Sequence, residues 1–213
     1  MRWAVLLQLV LAVGLSGRAA GADYWPLNPS HVYHYQDDGG RTLTVTCMDW
    51  PNGMIERESA CALNGTPLWW TWEHFQSEAD GDVVLVNYAH YFQGAIDPDY
   101  MLTYSPALKF LELPLAVGRS WLTRGVAHGY VDRNFLHVCY VERAETVTVP
   151  YGTFEALVLV ESDLFVSVAH SGTYYLVADL GAVILPGGFE LVSVDGIVGV
   201  ESTTWGELKA LFR

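Results

Sequence analysis

The sequence predicts an all-β protein, an antiparallel meander whose curved sheet closes into a barrel or half-barrel or stacks as a sandwich. Three observations predict it. Apolar side chains recur with a period of two rather than the helical 3.6. Runs of about 6 to 12 β-prone residues alternate with Asn, Asp and Gly punctuation along most of the chain. The strands so delimited number about a dozen, and that many edges are best protected by closure or stacking.

Composition narrows the function classes. Half of the 213 residues are hydrophobic (51%), enough to build a sizeable core. The 24 acidic residues against 11 basic ones give a formal charge of −13, which repels phosphate backbones and argues against a nucleic-acid partner.

The first element is a targeting signal over residues 1–22. Met1-Arg2 supplies a positive start, Trp3 to Leu15 an apolar stretch, and Ala20-Gly21-Ala22 the small-residue pattern at which a leader is cut. The apolar stretch is shorter than the 18 or so residues of a bilayer span, so export to the periplasm or the medium is expected rather than membrane integration. Residues 23–213 then form a single all-β domain. Loss of Arg2 and Arg18 leaves nine basic residues against the same 24 acids, a charge of −15.

Export brings an oxidising compartment, in which thiols tend to pair. The chain has Cys47, Cys61 and Cys139, an odd number. Cys47 and Cys61 flank the turn at Trp50-Pro51-Asn52-Gly53 and are the candidate disulfide. A tight turn on Asn52-Gly53 would set Cys47 opposite Glu58 and leave Cys61 about three residues out of register, so the bridge needs a longer loop or a bulge. The alternative is three buried thiols.

The clearest strands follow. Pro67 to Phe75 and Val83 to Phe92 read as a hairpin closed over Ser77 to Asp82. Asp38-Gly39-Gly40, Asn64-Gly65, Tyr151-Gly152, Ser171-Gly172, Gly187-Gly188 and Asp195-Gly196 mark further turns. Only residues 206–213 suggest a short helical turn. Trp70, Trp72 and His74 share one face of their strand, and Trp69, Thr71, Glu73 and Phe75 share the other. A strand with aromatics on both faces is covered twice or lines a cavity. Trp70, Trp72, Tyr88 and Phe92 are the candidate ligand-binding residues, on a concave sheet that would take an apolar small molecule; the alternatives are stacking platforms for sugar rings and aromatics that simply fill the core.

The chemistry-bearing residues give weaker patterns. The chain has no G-x-S-x-G nucleophile element, and His170-Ser171-Gly172 reads as a turn. Seven histidines occur without H-x-H, H-E-x-x-H or C-x-x-C spacing. His137 and Cys139 share a strand face, and His74 could stand across from His90; these are the geometrically allowed ligand pairs. The acidic turns Asp37-Asp38 and Glu78 to Asp82 lack the full calcium-loop series. Glu142, Glu145, Glu155 and Glu161 could supply a carboxylate pair only if the fold sets their spacing. No catalytic residue, metal or cofactor is assigned.

Four segments share a pattern. They are Asp23-Tyr24-Trp25-Pro26-Leu27 leading to Val32-Tyr33-His34-Tyr35, Leu113-Pro114-Leu115 leading to Gly118-Arg119-Ser120-Trp121, Glu145 to Phe154 (ETVTVPYGTF), and Tyr174 to Val183. Together they resemble a family of exported bacterial β-rich proteins that has no assigned reaction. The resemblance implies an exported β-rich fold and brings no catalytic residue with it. The expected function is an exported, non-enzymatic binding or carrier module, or one docked to an envelope protein, with an apolar ligand on the aromatic sheet. The alternatives are an enzyme acting on glycans or small envelope molecules through Asp and Glu, and a structural or assembly protein.

Overall fold

The computed structural model describes residues 24–25, 29, 31–93, 95, 97–163 and 171–196. The leader at residues 1–22, His170 and the turn at 206–213 lie outside the described residues. Twelve strands run in chain order: β1 (His31–Gln36), β2 (Arg41–Trp50), β3 (Met54–Leu63), β4 (Thr66–Ser77), β5 (Val83–Phe92), β6 (Tyr100–Leu111), β7 (Ser120–His128), β8 (Arg133–Val149), β9 (Gly152–Asp163), β10 (Gly172–Val177), β11 (Gly181–Leu185) and β12 (Phe189–Gly196). Each pairs antiparallel with its sequence neighbours, and β12 returns to β1 to close a barrel. Closure is long-range, since His31 pairs with Gly196. Among the described residues no helix is long and apolar enough to cross a membrane.

The turn chemistry sets the registers. Between β2 and β3, Pro51–Gly53 forms a single 3-10 turn in which Asn52 takes a left-handed φ of 68°, and Trp50 pairs with Met54. This three-residue connection places Cys47 opposite Arg57 rather than Glu58, and Cys61 opposite Leu43. Cys47 thus lies four positions along β2 from Cys61's partner, about 13 Å at the rise of a strand. A disulfide needs Cα atoms within about 7 Å, so the expected Cys47–Cys61 bridge is corrected: all three cysteines are free and buried.

An eight-stranded barrel is just wide enough for its own side chains to fill, and twelve strands leave more room. One end is packed solid by Phe75, Leu85, Leu108, Phe110, Trp121, Phe135 and their neighbours. Trp25, which precedes β1, is buried within this cluster, its ring 4.6 Å from that of Phe110 and 6.0 Å from that of Tyr174. Toward the other end, Tyr33, Tyr35, Leu43, Cys61, Phe189 and Leu191 form a second apolar cluster. Space remains between the two.

Candidate functional site

The interior rows of β1 to β5, with β10 to β12, line a half-open cavity of about 280 Å³. On β4 the inward row is Trp69, Thr71, Glu73 and Phe75; the first three line the cavity and Phe75 packs in the core beyond it. The outward row is Trp70, Trp72 and His74. The sequence separated the two rows correctly, but the row of Trp70 and Trp72 that it placed on the concave face points away from the cavity. Trp70 stacks on Tyr91 outside the barrel (3.5 Å between centroids, 8° between planes), and the Trp72 indole donates to the Tyr91 hydroxyl at 3.1 Å. Phe92 is 57% exposed at the end of β5. Of the four candidates, Tyr88 alone lines the cavity.

Charge explains why the row containing Glu73 faces inward. β3 sets Arg57 directly opposite Glu73, and the Arg57 Nε donates to Glu73 Oε2 at 2.6 Å. The guanidinium also lies 4.5 Å from the Trp25 ring centroid and 5.0 Å from that of Phe75, so its faces are covered by π-systems. Burial alone would lower the Arg57 pKa, but the Glu73 carboxylate outweighs it and holds the group above its ordinary value. Arg57 and Glu73 are the two sequence-missed residues at the heart of the site. Arg57 could have been found by alternation, since it shares a strand face with Ile55, Ser59 and Cys61.

Aromatic and polar groups complete the lining. Tyr33, Tyr35, Trp69, Tyr174 and Phe189 supply rings, and Ser59 and Thr71 supply hydroxyls. The Tyr35 hydroxyl donates to the Ala182 carbonyl at 2.8 Å. Burial pushes the Tyr35, Tyr88 and Tyr174 phenols far up, so all three stay protonated. His90 stacks on Tyr100, 5.2 Å away with planes 1° apart; burial lowers its pKa against the opposing pull of Asp99. Burial also raises the Cys47 thiol to about 11. At neutral pH the described lining therefore presents one ion pair among neutral groups.

The other sequence candidates separate. His74 and His90 lie on opposite faces of the barrel wall, because His74 pairs with Asn87 and His90 with Thr71. Outside, His74 bonds Glu56 at 2.9 Å and is flanked by Trp50 and Trp72. In the acidic turns, both Asp82 oxygens are engaged, by Lys109 Nζ at 2.5 Å and the Leu113 amide at 2.7 Å, and Asp37 holds Arg41. Glu142 and Glu145 pair with Arg143, and Glu155 accepts from Thr146. Glu161 alone of that group points inward, beside His137 and Cys139. Burial, with the Glu161 charge behind it, raises the Cys139 thiol strongly, which disfavours it as a nucleophile.

No family model, curated protein or solved structure matches the chain.

Proposed function

We propose that the chain is an exported, non-enzymatic binding module that holds a small neutral amphiphile inside its barrel. The observation that carries this reading is the aromatic cavity with a self-neutralised ion pair in its wall. A cavity of about 150 Å³ holds a benzene ring, so 280 Å³ suits a fused ring system or a short acyl chain rather than a whole phospholipid. Arg57 is the one cationic side chain among the described lining residues, and Glu73 already occupies it. A carboxylate ligand would find no unclaimed cation, whereas a hydroxyl or amide could bond the pair, Ser59 or Thr71. Catalysis by two carboxylates is disfavoured because Glu73 is the one acid in the described lining.

The leader-like residues 1–22 and the four family-like segments support export. The outward charges of Glu142, Arg143, Glu145 and Glu155 against an apolar interior are the inverse of a transmembrane barrel, which supports a protein outside the bilayer. Titration of tryptophan fluorescence with 2-naphthol and 2-naphthoate tests the reading. Saturable binding is expected for the naphthol, preferred over the naphthoate. Trp69→Ala should weaken it at least tenfold, as loss of an indole contact costs about 1.5 kcal/mol or more, and Trp70→Ala should leave it unchanged. Equal response of both tryptophan variants, or no saturable binding with solvent extraction of the purified protein also yielding no small molecule, would overturn it.

A further inference from the structure

We propose that His137, Cys139 and Glu161 form an interior site for a transition-metal dication of the zinc class, separate from the ligand cavity. Strand geometry brings the three together. His137 and Cys139 are two apart on β8 and so face the same way, and the β8–β9 register sets Glu161 directly opposite Cys139. His137 Nε2 lies 3.1 Å from Cys139 Sγ and 3.1 Å from Glu161 Oε1, and all three donor atoms fall within 4.8 Å of one another. His137 and Cys139 are fully buried, and Glu161 is 3% exposed.

The convergence distinguishes a metal site from a proton relay. In a Cys–His–acid relay the thiol and the carboxylate occupy opposite ring nitrogens. Here both approach Nε2, and Nδ1 has no hydrogen-bond partner among the described residues. The Cys139 thiol can also turn its proton to the Phe110 carbonyl, 4.0 Å from Sγ, but a cation between the three donors engages Nε2, Sγ and the carboxylate at once. Glu161 makes the same point: both of its oxygens are buried, and among the described residues only His137 Nε2 and the Tyr174 hydroxyl face them, few donors for a buried carboxylate. Bond lengths of about 2.0 to 2.3 Å in a tetrahedron require donor separations of about 3.3 to 3.6 Å. Opening the observed 3.1 Å contacts by a few tenths of an ångström admits the ion.

The donor set also selects the metal. Imidazole nitrogen with thiolate sulfur suits zinc and its neighbours and not calcium or magnesium, which take oxygen. A thiolate and a carboxylate neutralise a dication, so the occupied site adds no net charge to the core. Three protein donors leave a fourth position open. The Tyr174 hydroxyl faces Glu161 and Tyr174 also lines the cavity, so one side chain touches both sites.

Cobalt(II) titration of the purified, reduced, chelator-treated chain tests the site. One Co(II) per chain is expected, with a thiolate-to-cobalt charge-transfer band in the near ultraviolet, visible bands of four-coordinate intensity, and displacement by zinc. Cys139→Ser should abolish the charge-transfer band, Glu161→Gln should weaken cobalt binding at least tenfold, and Cys61→Ser should leave both unchanged. Zinc should raise the melting temperature of the unaltered chain, which keeps the test independent of whether the variants fold. A chain with the circular dichroism of a β-barrel that gives no charge-transfer band, or a band that persists in Cys139→Ser, would overturn the site.

Discussion

Glu73→Gln removes the charge that permits an arginine inside the barrel and keeps the side chain's shape. The Arg57 and Glu73 side chains are 12% and 3% exposed and meet at 2.6 Å, so the substitution leaves a nearly buried guanidinium without its anion. Breaking a buried pair from one side costs about 3 to 5 kcal/mol. The Trp25 and Phe75 faces and the adjoining cavity offset part of this, giving an expected loss of about 2 to 4 kcal/mol. For a domain of this size that is a fall in melting temperature of about 5 to 15 °C. Arg57→Met combined with Glu73→Leu removes both charges and should recover most of the loss, because paired charges can be replaced by apolar groups at little cost. Chemical denaturation of the single and double variants, followed by circular dichroism, measures the coupling. The Glu73→Gln variant should also reverse ligand preference, binding 2-naphthoate over 2-naphthol, since Arg57 is then unclaimed. A Glu73→Gln protein as stable as the parent, with unchanged preference, would refute the assignment of this pair as the electrostatic centre of the cavity.

Three further outcomes are expected. Gly125→Ala places a Cβ 2.3 Å from the Ser105 carbonyl oxygen and 2.7 Å from Pro106 Cδ, across the β6–β7 seam; overpacking of this kind costs about 1 to 3 kcal/mol, and thermal unfolding should show a drop of about 3 to 10 °C. His90 has a lowered folded-state pKa, so the folded chain binds fewer protons than the unfolded one. Its contribution is full above the ordinary value of about 6.5 and is lost as pH falls through the lower folded value; a melting-temperature profile below about pH 6.5 should be flatter in His90→Gln than in the parent. The free cysteines predict that unfolding in denaturant without reductant exposes three titratable thiols per chain, none of them rapidly reactive in the native state; a count of one would restore a disulfide.

Much of the fold is legible in the sequence because turn chemistry is local. Val83 to Phe92 coincides with β5, and Pro67 to Phe75 lies within β4. The acidic turn between them closes through the Gly81 amide on the Glu78 carbonyl, with Gly81 at a φ of 94° that favours glycine. Cys47 fell one residue from its expected partner because Pro51–Gly53 makes a three-residue turn where the Asn-Gly pair suggested two. The choice of inward face on β4 was the larger miss. Aromatic residues stand in both rows, Trp70 and Trp72 in one and Trp69 and Phe75 in the other, so alternation alone does not say which faces in, and Glu73 puts a carboxylate in the row that does. That carboxylate becomes tolerable inside only because another strand delivers Arg57 to it.

Period, turn residues and charge, all properties of neighbouring positions, determined an acidic antiparallel meander of about a dozen strands. Closure, the cavity and the His137–Cys139–Glu161 cluster depended on partners far apart in the chain: His31 with Gly196, Arg57 with Glu73, and Cys139 with Glu161. Side-chain alternation says which residues share a face, but the inward face is set by the summed burial and charge neutralisation of all strands at once, and that sum exists only in the folded barrel.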